Sequence, residues 1–564
     1  MLQKVKWQNW LKTLMALVKE HSILITIIFF SLILRMLWIK IPIHGDEGEA
    51  GYNAMMWARG LTPYIFRIMD KPPLMYLLYL IPIRLFGNNI IPIRILNNTL
   101  FLFSIIPLYL IAADWSGKRV GLFSALFYGI FMSVPAIEGP YALASSLSIP
   151  FLIFSVYFAN KYSKFKEWWL LLISGLFASM VSLIYQQWAA IFILLVIIVL
   201  TSSPIFRKQN YGNKRFLFRN SVTSLSILIV GIIIPISLFA VYFWVHGALY
   251  DLIYNTIIKF LGYNLEFAKA QFVPFDCTFL TLVEGLPLWL LFMYGILICI
   301  RRRNKTYLYL LGWSFISLAL LLVEPRHFGH YILFVVPPAS ILSGIALSSL
   351  ITDIHSTSLR QRSRKAATIL VIFIVLLSFV PSIFFQAKQF PNFSIDWKYS
   401  LGNTISVRIC WRAEMEGNYD VQMSIANYLR SLKLNDGEVL LHGWFPHLYW
   451  LSGLEAPSAY ICTFRDWAPI PDSEYQRLVN MVKEHNFKVI VLSNNTPKDA
   501  ITNLTLGEYF SIKSIGDIQI FSRDTPEGYV SYRFIENFPQ ALKEYDQADG
   551  TRNYLETTKS RKLW

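Results

Sequence analysis

Charge is scarce in this sequence. Of its 564 residues only 15% are Asp, Glu, Lys or Arg, against roughly a quarter in soluble globular proteins, which excludes an ordinary cytosolic enzyme. Cysteine is scarce too. Cys277, Cys299, Cys410 and Cys462 show no CxxC spacing, so neither a zinc site nor a disulfide framework is indicated; a single Cys410–Cys462 bridge is left open. Internal repeats and low-complexity tracts are missing, and a mean hydropathy of +0.45 excludes disorder, a coiled coil and a collagen-like fibre. The first apolar run contains Arg35 and lacks a small-residue cleavage site, so it reads as an uncleaved anchor and not as a signal peptide.

What the chain has in excess is apolar sequence, 55% hydrophobic and 16% aromatic. The net charge of +16 would suit nucleic acid if it formed one patch. It comes instead in short clusters between apolar runs, the pattern of cytoplasmic loops in a polytopic membrane protein, and no nucleic-acid partner is expected. About 20 apolar residues cross a bilayer as a helix. Candidate spans are Ile23–Ile39, Ile95–Ala113, Gly121–Pro135, Ser148–Ala159, Trp168–Ile184, Trp188–Thr201, Ser221–Val245, Leu286–Ile300, Tyr307–Val323, Ile332–Leu350 and Ala366–Phe385, eleven in all. With the N-terminus cytoplasmic, the inner segments carry the clusters around Lys4, Lys118, Lys161, Arg207, Arg301 and Arg360. The outer connections hold only Lys40, Arg59, Arg67, Lys71, Arg84, Lys259, Lys269 and Arg326. That asymmetry obeys the positive-inside rule at every alternation. Tryptophans near span ends (Trp38, Trp168, Trp169, Trp188, Trp244, Trp289) read as an aromatic belt.

After Phe385 the composition turns polar. Strand-like runs at Glu438–His442, Lys488–Ser493 and Asp517–Ser522 alternate with helical patterns at Val421–Leu432 and Glu474–Glu484, predicting a small α/β domain. The expected organisation is a transmembrane domain over 1–385, with a first outer loop at 40–93, and an extracytoplasmic α/β domain over 386–564.

Candidate chemistry concentrates in that first outer loop. It reads His44-Gly45-Asp46-Glu47-Gly48-Glu49, then Gly60 and Pro63-Tyr64, then Asp70-Lys71-Pro72-Pro73-Leu74. Asp46 with Glu49 has capping-box spacing and Gly60 suits a helix end, so a helix of about 13 residues is predicted. Asp46 reads either as its cap or as a carboxylate kept ionised at a helix N-terminus and able to take a proton from an attacking hydroxyl. Lys71, fixed by two prolines, reads either as an interfacial lysine or as a point charge for a phosphate at head-group level. The apolar stretch Leu74–Phe86 contains Pro82 and Arg84 and is placed along the outer surface. Arg35 in the first span is costly in lipid and is expected to snorkel outward or, less readily, to bind phosphate. His44 beside Asp46 and Glu47 offers only a thin case for a metal.

Asp46-Glu47-Gly48, Gly60-x-x-Pro63-Tyr64 and Asp70-Lys71-Pro72-Pro73-Leu74 before Leu85-Phe86-Gly87 resemble the first outer loop of GT-C glycosyltransferases. The group is that of the protein O-mannosyltransferases and aminoarabinose transferases, glycosyltransferase family 39-like. Arg94, and Arg326-x-x-x-His330-Tyr331 before Pro337-Pro338, fit the same group. The resemblance implies a polytopic α-helical GT-C domain that transfers a monosaccharide from a polyprenyl-phosphate donor at the outer membrane face. The acceptor is a hydroxyl of a lipid, a glycan or a protein. It maps the catalytic base to Asp46 of the Asp46-Glu47 pair and donor-phosphate binding to Lys71. Glu138 is the candidate substitute for a further catalytic acid; Arg326 and His330, on the outer side of the tenth span, are candidates for donor-phosphate binding, His330 reading otherwise as a hydrogen-bonded structural histidine. One-step attack inverts the anomeric centre. No Gly-rich phosphate loop or DxD motif is present, and a lipid-phosphate leaving group needs no nucleotide site; no cofactor is implied, and a divalent metal stays open. The usual acid before the fourth span is replaced by Ala144-Ser145-Ser146, which leaves Glu138 as the only acid of the second outer loop. A multi-pass protein of the plasma (inner) membrane is expected. A transporter or flippase and a polysaccharide polymerase or ligase are the competing readings.

Overall fold

A computed structural model of the chain describes residues 21–202, 214–259, 286–323, 329–355 and 419–523, apart from 66–68, 70, 135–136, 303, 444, 459, 461–469, 494–498 and 516–517. It divides into two units, 1–426 with 446–453, and 427–445 with 454–564. The boundary expected at 385 lies outside the described residues. Residues 419–426 and 446–453, read from sequence as part of the α/β domain, belong to the larger unit.

The larger unit is helical. Its elements are α1 (Ser22–Leu37), α2 (Gly45–Ala58), α3 (Pro73–Phe86), α4 (Ile90–Ser116), α5 (Lys118–Phe131), α6 (Ala144–Phe165), α7 (Trp168–Ile184), α8 (Ile191–Ser202), α9 (Lys214–Val245), α10 (Leu286–Arg302), α11 (Lys305–Val323) and α12 (Val336–His355). Then come α13 (Tyr419–Ser431), whose first residues lie here, and α14 (Pro446–Ser452). Ten of the eleven candidate spans coincide with helices; the eleventh, Ala366–Phe385, lies outside the described residues. Among the described residues three helices, Ile90–Ser116, Ser221–Val245 and Lys305–Leu322, are long and apolar enough to cross a bilayer.

Local sequence explains where these helices begin, end and face. Along α1 the buried residues are Leu24, Ile27, Ser31 and Arg35, spaced three and four apart on one stripe. Ile23, Phe29, Phe30 and Ile33 point outward on the other side. Such an apolar exterior suits lipid, which solvates it as water cannot. Asn89 caps α4 by accepting the Ile91 N–H at 2.9 Å. Between α7 and α9 the backbones touch at Gly175 and Gly231, whose Cα atoms would each sit within about 3 Å of an added Cβ on the other, a small-residue crossing typical of membrane helices. Of the tryptophans expected in the belt, Trp168, Trp169 and Trp244 are exposed, whereas Trp38 and Trp188 are buried; Trp188 stacks on Phe334 at 3.5 Å.

The smaller unit holds a four-stranded sheet of β1 (Val439–Leu441), β2 (Val489–Ser493), β3 (Phe510–Ile515) and β4 (Ile518–Ser522), ordered β1-β2-β4-β3. The β1–β2 pair is parallel and the other two are antiparallel. Helices α15 (Asp472–Lys483) and α16 (Ala500–Glu508) join it, and its core gathers Leu440, Leu478, Val482, Phe487, Ile490, Ile501 and Phe521. The three expected strands appear within about two residues of their predicted bounds, while β3 and α16 were not anticipated. Asp499 caps α16 by accepting the Thr502 N–H at 2.9 Å and pairs with buried His442 at 3.0 Å. Burial opposes the charge of Asp499, but the His442 hydrogen bond, with the Thr502 N–H, overrides it and holds the carboxyl down at about 2.

Candidate functional site

The first outer loop folds as a helix, and its cap lies two residues earlier than the Asp46 frame. His44 is the N-cap of α2: its Nδ1 accepts the Asp46 N–H at 3.1 Å, and Glu47 Oε2 accepts the His44 N–H at 3.1 Å. The capping box is thus His44-x-x-Glu47, not Asp46-x-x-Glu49. Both frames place an acid three residues on; an imidazole nitrogen with a lone pair serves as acceptor where Asp or Ser usually does. The Asp46 carboxylate is therefore not the cap. It stands in the first turn, partly exposed, with Oδ1 3.9 Å from His44 Nδ1, where the helix N-terminus favours its charge. The arrangement also sets the tautomer of His44. With Nδ1 accepting, the neutral ring carries its hydrogen on Nε2, which points to Glu138 Oε2 at 3.9 Å.

Glu47 is wholly buried. Its two oxygens take the Arg94 Nε and Nη2 hydrogens at 3.1 and 2.6 Å and the Ala142 N–H at 2.8 Å, besides the His44 N–H. Arg94 spends its remaining hydrogens on the carbonyls of Ile39, Ile41 and Pro42 at 2.6–3.0 Å. A buried ion pair is tolerable only when its other bonds are satisfied, and this one joins the strap 39–47, the start of α4 and the turn before α6. Sequence marked Arg94 only through the family resemblance; nothing local announced its partner 47 residues away.

Glu138 sits in the left-handed region at φ 58°, in a loop tied down by Arg35. One guanidinium nitrogen of Arg35 donates to the Met132 carbonyl at 2.9 Å and to the Gly139 carbonyl. Arg35 is buried, so neither snorkelling nor phosphate binding describes it. Its charge lies 4.4 Å from the Phe101 ring centre. Glu138 Oε2 accepts from His330 Nδ1, on the 3-10 turn Gly329–Phe334. Asp46, His44, Glu138 and His330 thus form one cluster, and the His44 ring lies edge-on to Tyr141 at 5.5 Å and to His330 at 6.4 Å. Among the described residues no three His, Cys, Asp or Glu side chains converge as a metal site, and the Nδ1 of His44 is committed to its cap bond.

Lys71 lies at the start of α3, which packs on α2. Pro72 and Pro73 occupy the N-cap and first helical position, where a missing N–H costs nothing. The Lys71 carbonyl accepts the Tyr64 hydroxyl at 2.8 Å, and its N–H points to the Tyr76 hydroxyl at 3.4 Å. Lys71 itself is half-buried. Arg326 and Asp70 lie outside the described residues.

Residues found only in the structure come from late in the chain. Gln422 brackets Ile43, taking its N–H at 2.7 Å and donating to its carbonyl at 3.2 Å. His447 on α14 abuts Gly48. Burial pushes the His447 imidazole down to about 3, so it is neutral at any physiological pH.

Residues 70–237 match the family described as dolichyl-phosphate-mannose-protein mannosyltransferase, a segment that includes Lys71, Arg94 and Glu138. No curated protein matches the chain in sequence. Among solved structures, ArnT from Cupriavidus metallidurans in the apo state aligns with a TM-score of 0.57 at 13% identity, over 90% of this chain and 98% of that one. The same protein bound to undecaprenyl phosphate aligns at 0.54 and 13%, over 91% and 100%. The Archaeoglobus fulgidus oligosaccharyltransferase in the apo form aligns at 0.51 and 12%, over 84% and 69%. The chain is a membrane protein with the GT-C fold of glycosyltransferases.

Proposed function

We propose that the protein transfers a monosaccharide from a polyprenyl-phosphate donor to a hydroxyl acceptor at the non-cytosolic face of the membrane. The observation that carries this reading is the first turn of α2. There the Asp46 carboxylate stands partly exposed, 3.9 Å from His44 Nδ1 and with its charge favoured by the helix N-terminus, on a helix packed against the one that begins beside Lys71. In the reaction the acceptor oxygen bonds to the anomeric carbon while its proton passes to Asp46. The bond from that carbon to the phosphate oxygen breaks, and the electron pair leaves with the polyprenyl phosphate, whose charge Lys71 stabilises. One displacement inverts the anomeric centre.

Glu47 acts here as a positioning residue, since it has no exposed surface and holds the turn through Arg94. Glu138 orients His330 toward the donor phosphate. ArnT, a structural neighbour, has been seen with undecaprenyl phosphate, which supports a donor of that chemical class. The cytosolic placement of the N-terminus gains support from the larger unit itself. Side chains read as inner meet at one set of helix ends: Lys161 and Lys164 on Asp114 at 3.2 and 2.8 Å, Lys166 on the Ser202 carbonyl at 2.6 Å, and Lys305 on the Thr201 carbonyl. His44, Asp46, Glu138 and His330, all read as outer, meet in one cluster.

The test is transfer by the purified full-length protein from undecaprenyl phosphate-linked mannose, glucose and aminoarabinose to the cell-envelope fraction of a deletion strain. The reading expects a product of inverted anomeric configuration by NMR and, for Lys71→Met, a donor KM raised at least 10-fold. Retained configuration, or a Lys71→Met variant with unchanged kinetics, contradicts it.

A further inference from the structure

We infer that two segments from the end of the chain, 419–426 and 446–453, complete the catalytic turn, and that Gln422 is a positioning residue for Asp46. The inference rests on the role proposed for Asp46 and adds residues that no sequence motif marks.

Five attachments run along α2 from its entry to its exit. Before the cap, the buried Gln422 side chain bonds to both polar atoms of Ile43, as a neighbouring strand would. In the first turns, Gly48 lies so close to α14 that an added Cβ would stand 2.5 Å from the His447 nitrogen, and at Gly51 it would run into the Trp450 indole. The Tyr52 and Tyr449 rings meet at 5.9 Å, and Trp450 reaches Tyr79 on α3 at 6.4 Å. At the far end Arg59 donates to the Gly453 carbonyl.

A seven-residue helix has no stability of its own, and all seven residues of α14 are buried. It exists because α2 offers it a groove of small side chains. The reverse dependence concerns function. Ile43 precedes His44, whose ring nitrogen holds the Asp46 N–H. The peptide that Gln422 brackets therefore sets where the cap sits, and the cap sets the Asp46 carboxylate. A shift of about 1 Å in a reacting group is enough to cost on the order of 100-fold in rate. His447 fits the same design, because a neutral imidazole adds no cation beside the positive helix end.

The experiment compares Gln422→Leu, Gln422→Glu and Asp46→Asn in the full-length protein, with undecaprenyl phosphate-linked sugars as donors. Gln422→Leu keeps the size and removes both bonds. It is expected to lower kcat at least 10-fold with donor KM within about twofold, and to speed amide exchange over 43–47 with the melting temperature nearly unchanged. In Gln422→Glu the ionised carboxylate accepts from Ile43 but cannot donate, whereas the protonated acid does both. Its kcat relative to wild type therefore rises as pH falls toward 5. A merely structural role moves melting and not that ratio. Unchanged kcat and unchanged exchange in Gln422→Leu overturn the inference, as does a Gln422→Glu ratio flat with pH. If Asp46→Asn transfers at the wild-type rate, the reading of Asp46 fails instead, and the exchange data still decide whether the bracket holds the turn.

Discussion

At the scale of single residues the site is a division of labour among acids that look alike in sequence. Asp46 and Glu47 are neighbours, yet one faces partly outward and the other is sealed against Arg94. Alternation along the first helical turn separates them, and the His44 cap decides the frame. The Asp-Glu-Gly motif was legible because acids beside a membrane surface are rare in so apolar a chain. The frame was not legible, since histidine seldom caps a helix and an equally good acid stood three residues after Asp46. His447 makes a residue-scale prediction about pH. Its folded pKa of about 3 lies below the ordinary histidine value near 6.5, so the unfolded chain binds a proton that the folded one refuses. Stability is therefore intact above pH 6.5 and falls as pH drops toward 3, by up to about 1.4 kcal/mol per unit from this group. Chemical denaturation between pH 7 and 4 is expected to show a shallower decline in His447→Asn than in the wild type; parallel declines contradict the assignment.

At the scale of elements, hydrophobic periodicity located the long helices well, because a stripe of three- and four-residue spacing needs no distant partner to declare itself. It said nothing of α14, whose Pro446–Ser452 segment is too short to carry a period and which packs on α2 from nearly 400 positions away. The β3 strand escaped for a related reason. It alternates half-buried with exposed residues and carries a register shift between Ser511 and Lys513, so no apolar run marks it. Closeness at Gly48 gives the element-scale prediction. Gly48→Ala must displace the α14 backbone at His447 and is expected to destabilise the larger unit by about 1–3 kcal/mol, read as a lower melting temperature in detergent. A melting temperature equal to wild type shows that α14 does not seat there.

At the scale of the whole molecule, the charge asymmetry of the loops and the apolar exteriors of the helices tell the same story. Lys161, Lys164, Lys166 and Lys305 gather at one set of helix ends, and Asp46, Glu138, His44 and His330 at another. The count of eleven spans rests on Ala366–Phe385, which the described residues do not include. Orientation is tested by cysteines placed at exposed positions in a background without the four native ones. Arg84→Cys is expected to react with a membrane-impermeant maleimide in intact cells, and Arg119→Cys only after permeabilisation. The opposite pattern inverts the topology and takes the site to the cytosolic side.

The central claim is that Asp46 takes the acceptor proton, and the rate of sugar transfer by Asp46→Asn measures it most directly. Removing a general base costs typically 10²–10⁴-fold. The account predicts a kcat lower by at least 100-fold, with undecaprenyl phosphate binding and melting temperature at wild-type values. Transfer at the wild-type rate in that variant contradicts it.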